Sequence, residues 1–200
     1  MRSGTPKTGR PISFDKDAAI EAAMLLFWER GFEGTSMADL TRAMNLSASS
    51  IYAAFGDKQS LFSHTVKRYL ETRAQYATDA LAEPTLDRVI RALFENTVAF
   101  LTGSGHPPTC MSLAGAMGCS IEATPARDLM TEVRKQNEAD IRDRLRQARK
   151  AGELSKEINV DDYTRYLSML LAGLSIQAAN GSTKTELRRT AGLALRHLGY

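Results

Sequence analysis

The chain of 200 residues is predicted to be all-α, with about nine helices. Apolar residues recur at helical spacing along most of its length. Ile20, Met24 and Phe27, for example, form one stripe through offsets of four and seven. We find no stretch of useful length that alternates apolar and polar residues as a strand does. An apolar content of 43% is enough to build a buried core.

The first predicted helix runs from Asp15 to Arg30 and ends at Gly31, since glycine commonly terminates a helix. The segment from Ser36 to Phe55 then has the spacing of a helix-turn-helix. In this motif two short amphipathic helices are joined by a turn, which we place at Asn45 and Leu46.

One side of each short helix carries apolar residues at helical spacing: Leu40 and Met44 in the first, Ile51 and Phe55 in the second. We expect Thr35 to cap the first helix and Ser47 the second, because a side-chain oxygen there can accept free amides of the first turn. The outward side of the second helix then has only small residues beside Tyr52: Ala48, Ser49, Ser50, Ala53 and Ala54. Such a surface can approach a DNA groove closely.

The remaining two thirds of the chain also have helical patterns. The segment 103–109, which contains Gly, His and two consecutive Pro residues, cannot continue a helix and interrupts these helical patterns. We predict a long helix over 58–81, an inner helix from 86 to 101, a short helix near 110–117, a long charged helix over 124–151, and two last helices over about 161–180 and 185–198.

Charge and cysteine content narrow the class of protein. The net charge of +3 does not by itself indicate nucleic acid, but the first 14 residues hold Arg2, Lys7 and Arg10 without an acidic residue. They are interpreted as a flexible basic arm, with an ordinary disordered terminus as the alternative. Two cysteines, no signal-peptide pattern and no long apolar run favour a cytoplasmic protein without a membrane span.

The stretch from Gly9 to Phe62 has an apolar first helix ending in ERGF, then GTS, SIY in the second short helix, and FGDK before the next helix. In these motifs it resembles the N-terminal domain of TetR-family transcriptional regulators. The resemblance implies a bacterial homodimeric repressor that binds a double-stranded, often palindromic DNA operator and is released by a small-molecule effector. The implied domains are an arm at 1–12, a DNA-binding domain at 13–73 and a ligand-binding and dimerisation domain at 74–200.

Carried onto this sequence, the family pattern gives a set of DNA-contacting positions. Tyr52 and Lys58 would contact phosphates, as would the amides near Thr35 and Ser36. Tyr52 could instead be a packing residue, but Ile51 and Phe55 already fill the inward side. The full set is Arg10, Thr35, Ser36, Met37, Ala48, Ser49, Ser50, Tyr52, Ala54 and Lys58.

The second short helix has no Arg, Lys, Asn or Gln, which make the bidentate base contacts. We therefore expect specificity to come from serine hydroxyls, alanine contacts with thymine methyl groups, the arm in a minor groove, and DNA shape.

Polar residues that interrupt apolar stripes predict an effector pocket, since a buried polar group needs a partner. The predicted pocket residues are Phe94, Thr97, Val98, Met117, Met130 and Asn137. The alternative is that the polar ones are satisfied in the core or at an interface. In the family the last two helices form the dimer interface, which implies Tyr163, Tyr166, Leu170, Leu174, Leu187, Ala191, Ala194 and Leu198. An intrachain core is the alternative there.

The sequence leaves three other functions open. Cys110 and Cys119 could sense oxidants or, with His106, a metal, although their spacing matches no zinc motif. A thiol enzyme built on Cys110 is a remote alternative, since the chain has no Gly-rich phosphate loop, nucleophile elbow or HExxH motif. We therefore predict no catalytic residues, metal or cofactor. A purely structural helical adaptor would lack salt-dependent DNA binding.

Overall fold

The computed structural model describes residues 14–115, 120–121 and 123–200. These residues form ten α-helices and no strand, so the predicted fold class is confirmed. No helix within the described ranges is long and apolar enough to cross a membrane. The helices are α1 (Lys16–Arg30), α2 (Met37–Met44), α3 (Ala48–Phe55), α4 (Lys58–Thr72), α5 (Gln75–Leu81), α6 (Leu86–Leu101), α7 (Met111–Ala114), α8 (Thr124–Lys150), α9 (Val160–Ala179) and α10 (Lys184–Leu198).

The segment predicted as one helix over 58–81 is two helices. The carbonyl oxygen of Tyr69 accepts both the Arg73 amide, at 2.8 Å, and the Ala74 amide, at 3.1 Å. The helical hydrogen-bond register therefore ends there, and no side chain caps the start of α5. This break accounts for the tenth helix.

Side-chain capping fixes the starts of the N-terminal helices. Asp15 caps α1 by accepting two backbone amides. Ser36, not Thr35, caps α2, and it forms a reciprocal capping box with Asp39. The prediction for Thr35 was wrong by one residue because its hydroxyl is buried and donates to the Gly31 carbonyl oxygen at 2.8 Å. Ser47 caps α3, as predicted.

The core has two parts. The first joins α1–α4 around Trp28 and Phe62, and it is completed by Met111 of α7 and by Ala126 and Met130 at the start of α8. The second is formed by α6, the end of α8, α9 and α10. The N-terminal helices are therefore packed directly against the segment that follows α6 and against the start of α8.

Candidate nucleic-acid interface and effector cavity

The helix-turn-helix packs as its sequence pattern indicates. Leu40 and Met44 of α2 are buried, as are Ile51 and Phe55 of α3. The turn is made by Asn45, whose φ of 52° places it in the left-handed region. Asparagine tolerates this conformation better than most residues. The two helices are thus held at a fixed angle with one face of α3 outward.

The outward face of α3 consists of Ala48, Ser49, Tyr52 and Ala53, which are all exposed. Tyr52 is 51% exposed, so its packing alternative is excluded within this chain. Ala54 is half-buried. Ser50 was predicted to be outward but is buried, because its hydroxyl turns toward the Ser47 hydroxyl 2.8 Å away.

Lys58 begins α4 at the edge of this surface, one residue after Asp57, which caps that helix. Its ammonium group lies over the ring of Phe32, 4.4 Å from the centroid. Partial burial lowers the pKa of Lys58, and the nearby Glu33 carboxylate opposes that shift. The charge is therefore held at the edge of α3 rather than extended into solvent.

The start of α2 differs from the predicted phosphate site. The Asp39 carboxylate accepts the Ser36 amide and hydroxyl and pairs with Arg42, and the Ser36 bonds keep the pKa of Asp39 below its ordinary value. Thr35 is buried, so its side chain cannot reach DNA. Met37 is half-buried at the first helical position. Arg10 and the arm at 1–12 lie outside the described residues.

A cavity of about 760 Å³ lies between α4, α5, α6, α8 and α9. This volume is within the range of small-molecule sites, roughly 300–1,000 Å³. Its apolar wall is interrupted by several polar groups that lie at or near the buried side: Tyr69, Tyr76, Thr97, Cys110, Ser112 and Ser175.

Cys110 is at the centre of a polar cluster in this wall. Its Sγ is 3.2 Å from the Tyr69 hydroxyl and 2.9 Å from the Ser112 hydroxyl, and its amide donates to the Ser175 hydroxyl at 2.8 Å. Burial, with a smaller effect from Cys110, raises the pKa of Tyr69 and of Tyr76 well above the ordinary value. Both phenols therefore remain protonated and can donate hydrogen bonds.

The segment around α7 connects this cavity with the DNA-binding unit. On one side Cys110 and Ser112 line the cavity. On the other, the Gly115 carbonyl oxygen accepts the Phe32 amide at 2.8 Å, and the Thr109 carbonyl oxygen accepts the Trp28 indole N–H at 3.1 Å. A shift of this segment would therefore change the hydrogen bonds at the end of α1.

Comparison with known proteins decides the family. A family model described as bacterial regulatory proteins of the tetR family matches residues 19–65, and one described as a tetracyclin repressor-like C-terminal domain matches residues 85–192. The chain belongs to the TetR family. It is a DNA-binding transcriptional regulator of the helix-turn-helix type.

TetR-family relatives match nearly the whole chain. The Escherichia coli K12 repressor ComR is 29% identical over 190 residues, which are 94% of this chain and 90% of ComR. The repressor BdcR of the same organism is 30% identical over 188 residues, 93% of this chain and 90% of BdcR. A triple cysteine variant of the TetR-family regulator CifR, complexed with 26-bp operator DNA, superposes with a TM-score of 0.90 at 33% identity and covers 94% of this chain and 98% of that chain.

The predicted effector pocket of this TetR-family chain agrees with the cavity at two positions. Thr97 lines it, and Asn137 lines it as an exposed residue rather than a buried one. Phe94, Val98 and Met130 are buried in the cores and do not line it. On α6 the residues at 93, 97 and 101 face the cavity, whereas 94 and 98 are turned about 100° further into the core. Met117 lies outside the described residues.

Tyr69, Tyr76 and Cys110 were missed as cavity residues. Tyr69 and Cys110 are 41 positions apart, and local periodicity cannot show that they meet. Tyr69 falls on an apolar stripe that sequence alone assigns to the core.

The last two helices, α9 and α10, for which the family resemblance implies a dimer interface, expose only part of the predicted set. Leu174, Leu187 and Ala191 are buried in this chain's own core, so they cannot belong to an interface. Tyr163, Leu170, Ala194 and Leu198 are partly buried against the same core, and Tyr166 is 41% exposed. Three other apolar residues of these helices are exposed: Met169, Ile176 and Leu193. Because α9 is apolar on two faces, periodicity could not separate the core face from the outer face.

His106 is not placed to act with Cys110. Its ring is stacked on Trp28 and Phe100, and its Nδ1 is 2.8 Å from the Pro107 carbonyl oxygen. Among the described residues no group of three or more His, Cys, Asp or Glu side chains could hold a metal ion. Cys119 lies outside the described residues.

Proposed function

We propose that this chain is a homodimeric repressor of the bacterial cytoplasm that binds a palindromic DNA operator and is released when a small molecule enters the cavity. The observation that carries this proposal is the exposed small-residue face of α3, bordered by Tyr52 and Lys58. The names of ComR and BdcR as repressors, and of CifR bound to operator DNA, support it.

In this proposal α3 lies in the major groove. Ala48 and Ala53 contact thymine methyl groups, Ser49 bonds a base edge or a phosphate, and Tyr52 gives its hydroxyl to a phosphate. Lys58 moves from the Phe32 ring to a second phosphate. Arg10 and the arm follow the adjacent minor groove. Because these side chains are small, specificity comes from the close approach of the helix backbone to the groove rather than from base contacts by long polar side chains.

The dimer would form through the outer face of α9 and α10. Tyr166, Met169, Ile176 and Leu193 are exposed on these two helices, and large exposed apolar side chains favour association. A Cβ atom added at Gly173 would have no other atom within 4 Å, so a partner helix has room to approach. To read a palindromic operator, such a dimer must present its two α3 helices on one side of the duplex, about 34 Å apart.

Release requires that the cavity and α3 be coupled. The α7 segment supplies a physical route, because it lines the cavity through Cys110 and Ser112 and bonds the end of α1 through Gly115. A ligand that displaces this segment would alter the support of α2 and α3. Couplings of this kind change affinity by about 5- to 150-fold.

DNase footprinting of the full chain on the DNA upstream of its own gene tests the proposal. We expect protection of two half-sites one helical turn apart, and light scattering of the same sample should give twice the chain mass. Absence of protection at low salt, or a stable monomer, would contradict the repressor assignment.

A second candidate is a thiol-responsive repressor of the same fold. The observation that favours it is that Cys110 Sγ lines the cavity beside two hydroxyl groups. N-ethylmaleimide would then reduce operator binding of the native protein, and Cys110→Ser would keep operator binding while losing the response. An equal response in the Cys110→Ser variant would eliminate this candidate.

A further inference from the structure

The cavity wall is neutral on its buried side. Its charged lining residues are Glu132, Arg134, Glu138, Asp140 and Arg165, and none of these is buried. Several already have partners, since Glu132 pairs with Lys135, and Arg165 pairs with Asp162. An ionised ligand group in the interior would therefore lose its hydration without gaining a countercharge, which is strongly unfavourable.

Thr97 is an unusual threonine in this structure. Other helical threonines, such as Thr65 and Thr164, donate to a carbonyl oxygen three or four residues earlier, at 2.7 and 2.8 Å. The Thr97 side chain makes no hydrogen bond with any described residue, although the residue is only 6% exposed and lines the cavity.

Ser168 of α9 is a second hydroxyl-bearing residue of the cavity wall. Its Oγ is buried and has no hydrogen-bond partner among the described residues, and it lines the same cavity. A buried hydroxyl without a partner is destabilising, and native proteins retain few of them. The Thr97 and Ser168 hydroxyls both lack a partner among the described residues, and the Ser168 oxygen is buried as well. Their presence in one apolar cavity is explained if a ligand supplies the partners.

We propose that the effector is an uncharged, mainly apolar molecule with a carbonyl-type hydrogen-bond acceptor that binds the Thr97 hydroxyl. This inference rests on the proposed function, because it names the chemical class of the molecule that releases the operator. Ser168 provides a second hydroxyl for a polar group elsewhere on the ligand. The protonated Tyr69 phenol adds a further neutral donor to the wall.

Prodan, a neutral naphthyl ketone whose fluorescence reports polarity and hydrogen bonding at its carbonyl, is a suitable probe. We expect saturable binding to the full chain with blue-shifted emission. Thr97→Val keeps the side-chain shape but removes the hydroxyl, and it should weaken prodan binding by about 3- to 10-fold. The melting temperature should not fall, because the lost hydroxyl had no protein partner.

Thr164→Val is the matched control, since Thr164 is fully buried, is bonded to the Val160 carbonyl oxygen and does not line the cavity. Its prodan affinity should equal that of the wild type. In competition, methyl 2-naphthoate should displace prodan at least about 10-fold better than the ionised 2-naphthoate, because only the ester avoids burying a charge.

Failure of prodan to bind, unchanged prodan affinity in Thr97→Val, or equal competition by 2-naphthoate would overturn the proposal. Footprinting of the upstream DNA is independent of these titrations. If the footprints are present but the prodan results differ from those expected, only the proposed effector class is rejected. If the footprints are absent, the repressor assignment is rejected whatever the prodan results are.

Discussion

The helix-turn-helix and the effector cavity both depend on small hydroxyl side chains, but they use them in opposite ways. Around α2 and α3, Ser36 and Ser47 are bonded within their own helix caps and hold the backbone in place. In the cavity, Thr97 and Ser168 have no partner among the described residues. Hydroxyls that are hydrogen-bonded within the helix caps hold α2 and α3 in place, whereas hydroxyls without a protein partner are able to bond a ligand.

The two regions also differ in where charge lies. The α3 face is neutral, and in the proposed complex Lys58 supplies the attraction to phosphate, while the cavity has charged residues only toward its exposed lining. The proposed DNA site would therefore combine close fit with electrostatics, whereas the proposed effector site would depend on desolvation and hydrogen bonds. Substitutions that change charge should affect the first region much more than the second.

Ala48→Glu should have the largest effect. A carboxylate at the first position of α3 suits the helix dipole and should not lower stability, but it would face the phosphates of the groove. We expect operator affinity to fall by about 100-fold or more, since like charges in an interface cost several kcal/mol. Gln147→Glu makes the same charge change at an exposed position of α8 and should alter affinity little. Fluorescence anisotropy measures both, and a normal Ala48→Glu affinity would remove α3 from the groove.

Ile176→Asp should come next, because it places a charge in the outer face of α9. We expect a folded monomer by light scattering and a loss of more than about 10-fold in affinity for a palindromic site, since the two half-sites no longer act together. Ile121→Asp is the control, as Ile121 is 88% exposed and lies outside α9 and α10. A dimer that survives Ile176→Asp would show that pairing uses another surface.

Lys58→Gln should mainly change the salt dependence. Each phosphate contact contributes about 0.9 to the slope of log affinity against log salt, so a dimer should lose about 2. Lys67→Gln removes a charge from an exposed lysine of the same helix and should leave the slope nearly unchanged. If the slope of Lys58→Gln equals that of the wild type, Lys58 remains on Phe32 when DNA binds.

Asp39→Asn should have the smallest effect, which is on the pH dependence of stability. The Ser36 bonds lower the pKa of the folded-state carboxyl below 3.8, so its contribution to stability is present above that pH and is lost as the pH falls through the lower folded-state pKa. The variant should therefore lose less stability than the wild type between pH 7 and about pH 3. Urea denaturation at several pH values measures this, and parallel curves would mean that the capping box contributes nothing measurable.

The sequence predicted the helix-turn-helix well because its determinants are local. Leu40, Ile51 and Phe55 are fixed by spacing within 20 residues, and so is the outward position of Tyr52. The cap on α2 was displaced by one residue because Thr35 and Ser36 are equally suitable by type. The bond from Thr35 to the Gly31 carbonyl oxygen and the reciprocal bonds between Ser36 and Asp39 distinguish them.

The cavity and the dimer face were less predictable for a physical reason. Thr97 could be found because it interrupts an apolar stripe, but Cys110 meets Tyr69 only through tertiary packing. On α9, Leu174 and Ile176 have equal hydrophobicity in the sequence, yet one is buried and the other is 54% exposed. Which side of such a helix packs inward depends on its neighbours rather than on its own pattern.

The central claim is that the exposed face of α3 reads a specific duplex. The most direct measurement is the ratio of dissociation constants for the upstream operator and for a scrambled duplex of equal length and composition at one physiological salt concentration. We predict that the operator binds at least about 1,000-fold more tightly. Equal affinity for the two duplexes would contradict the account.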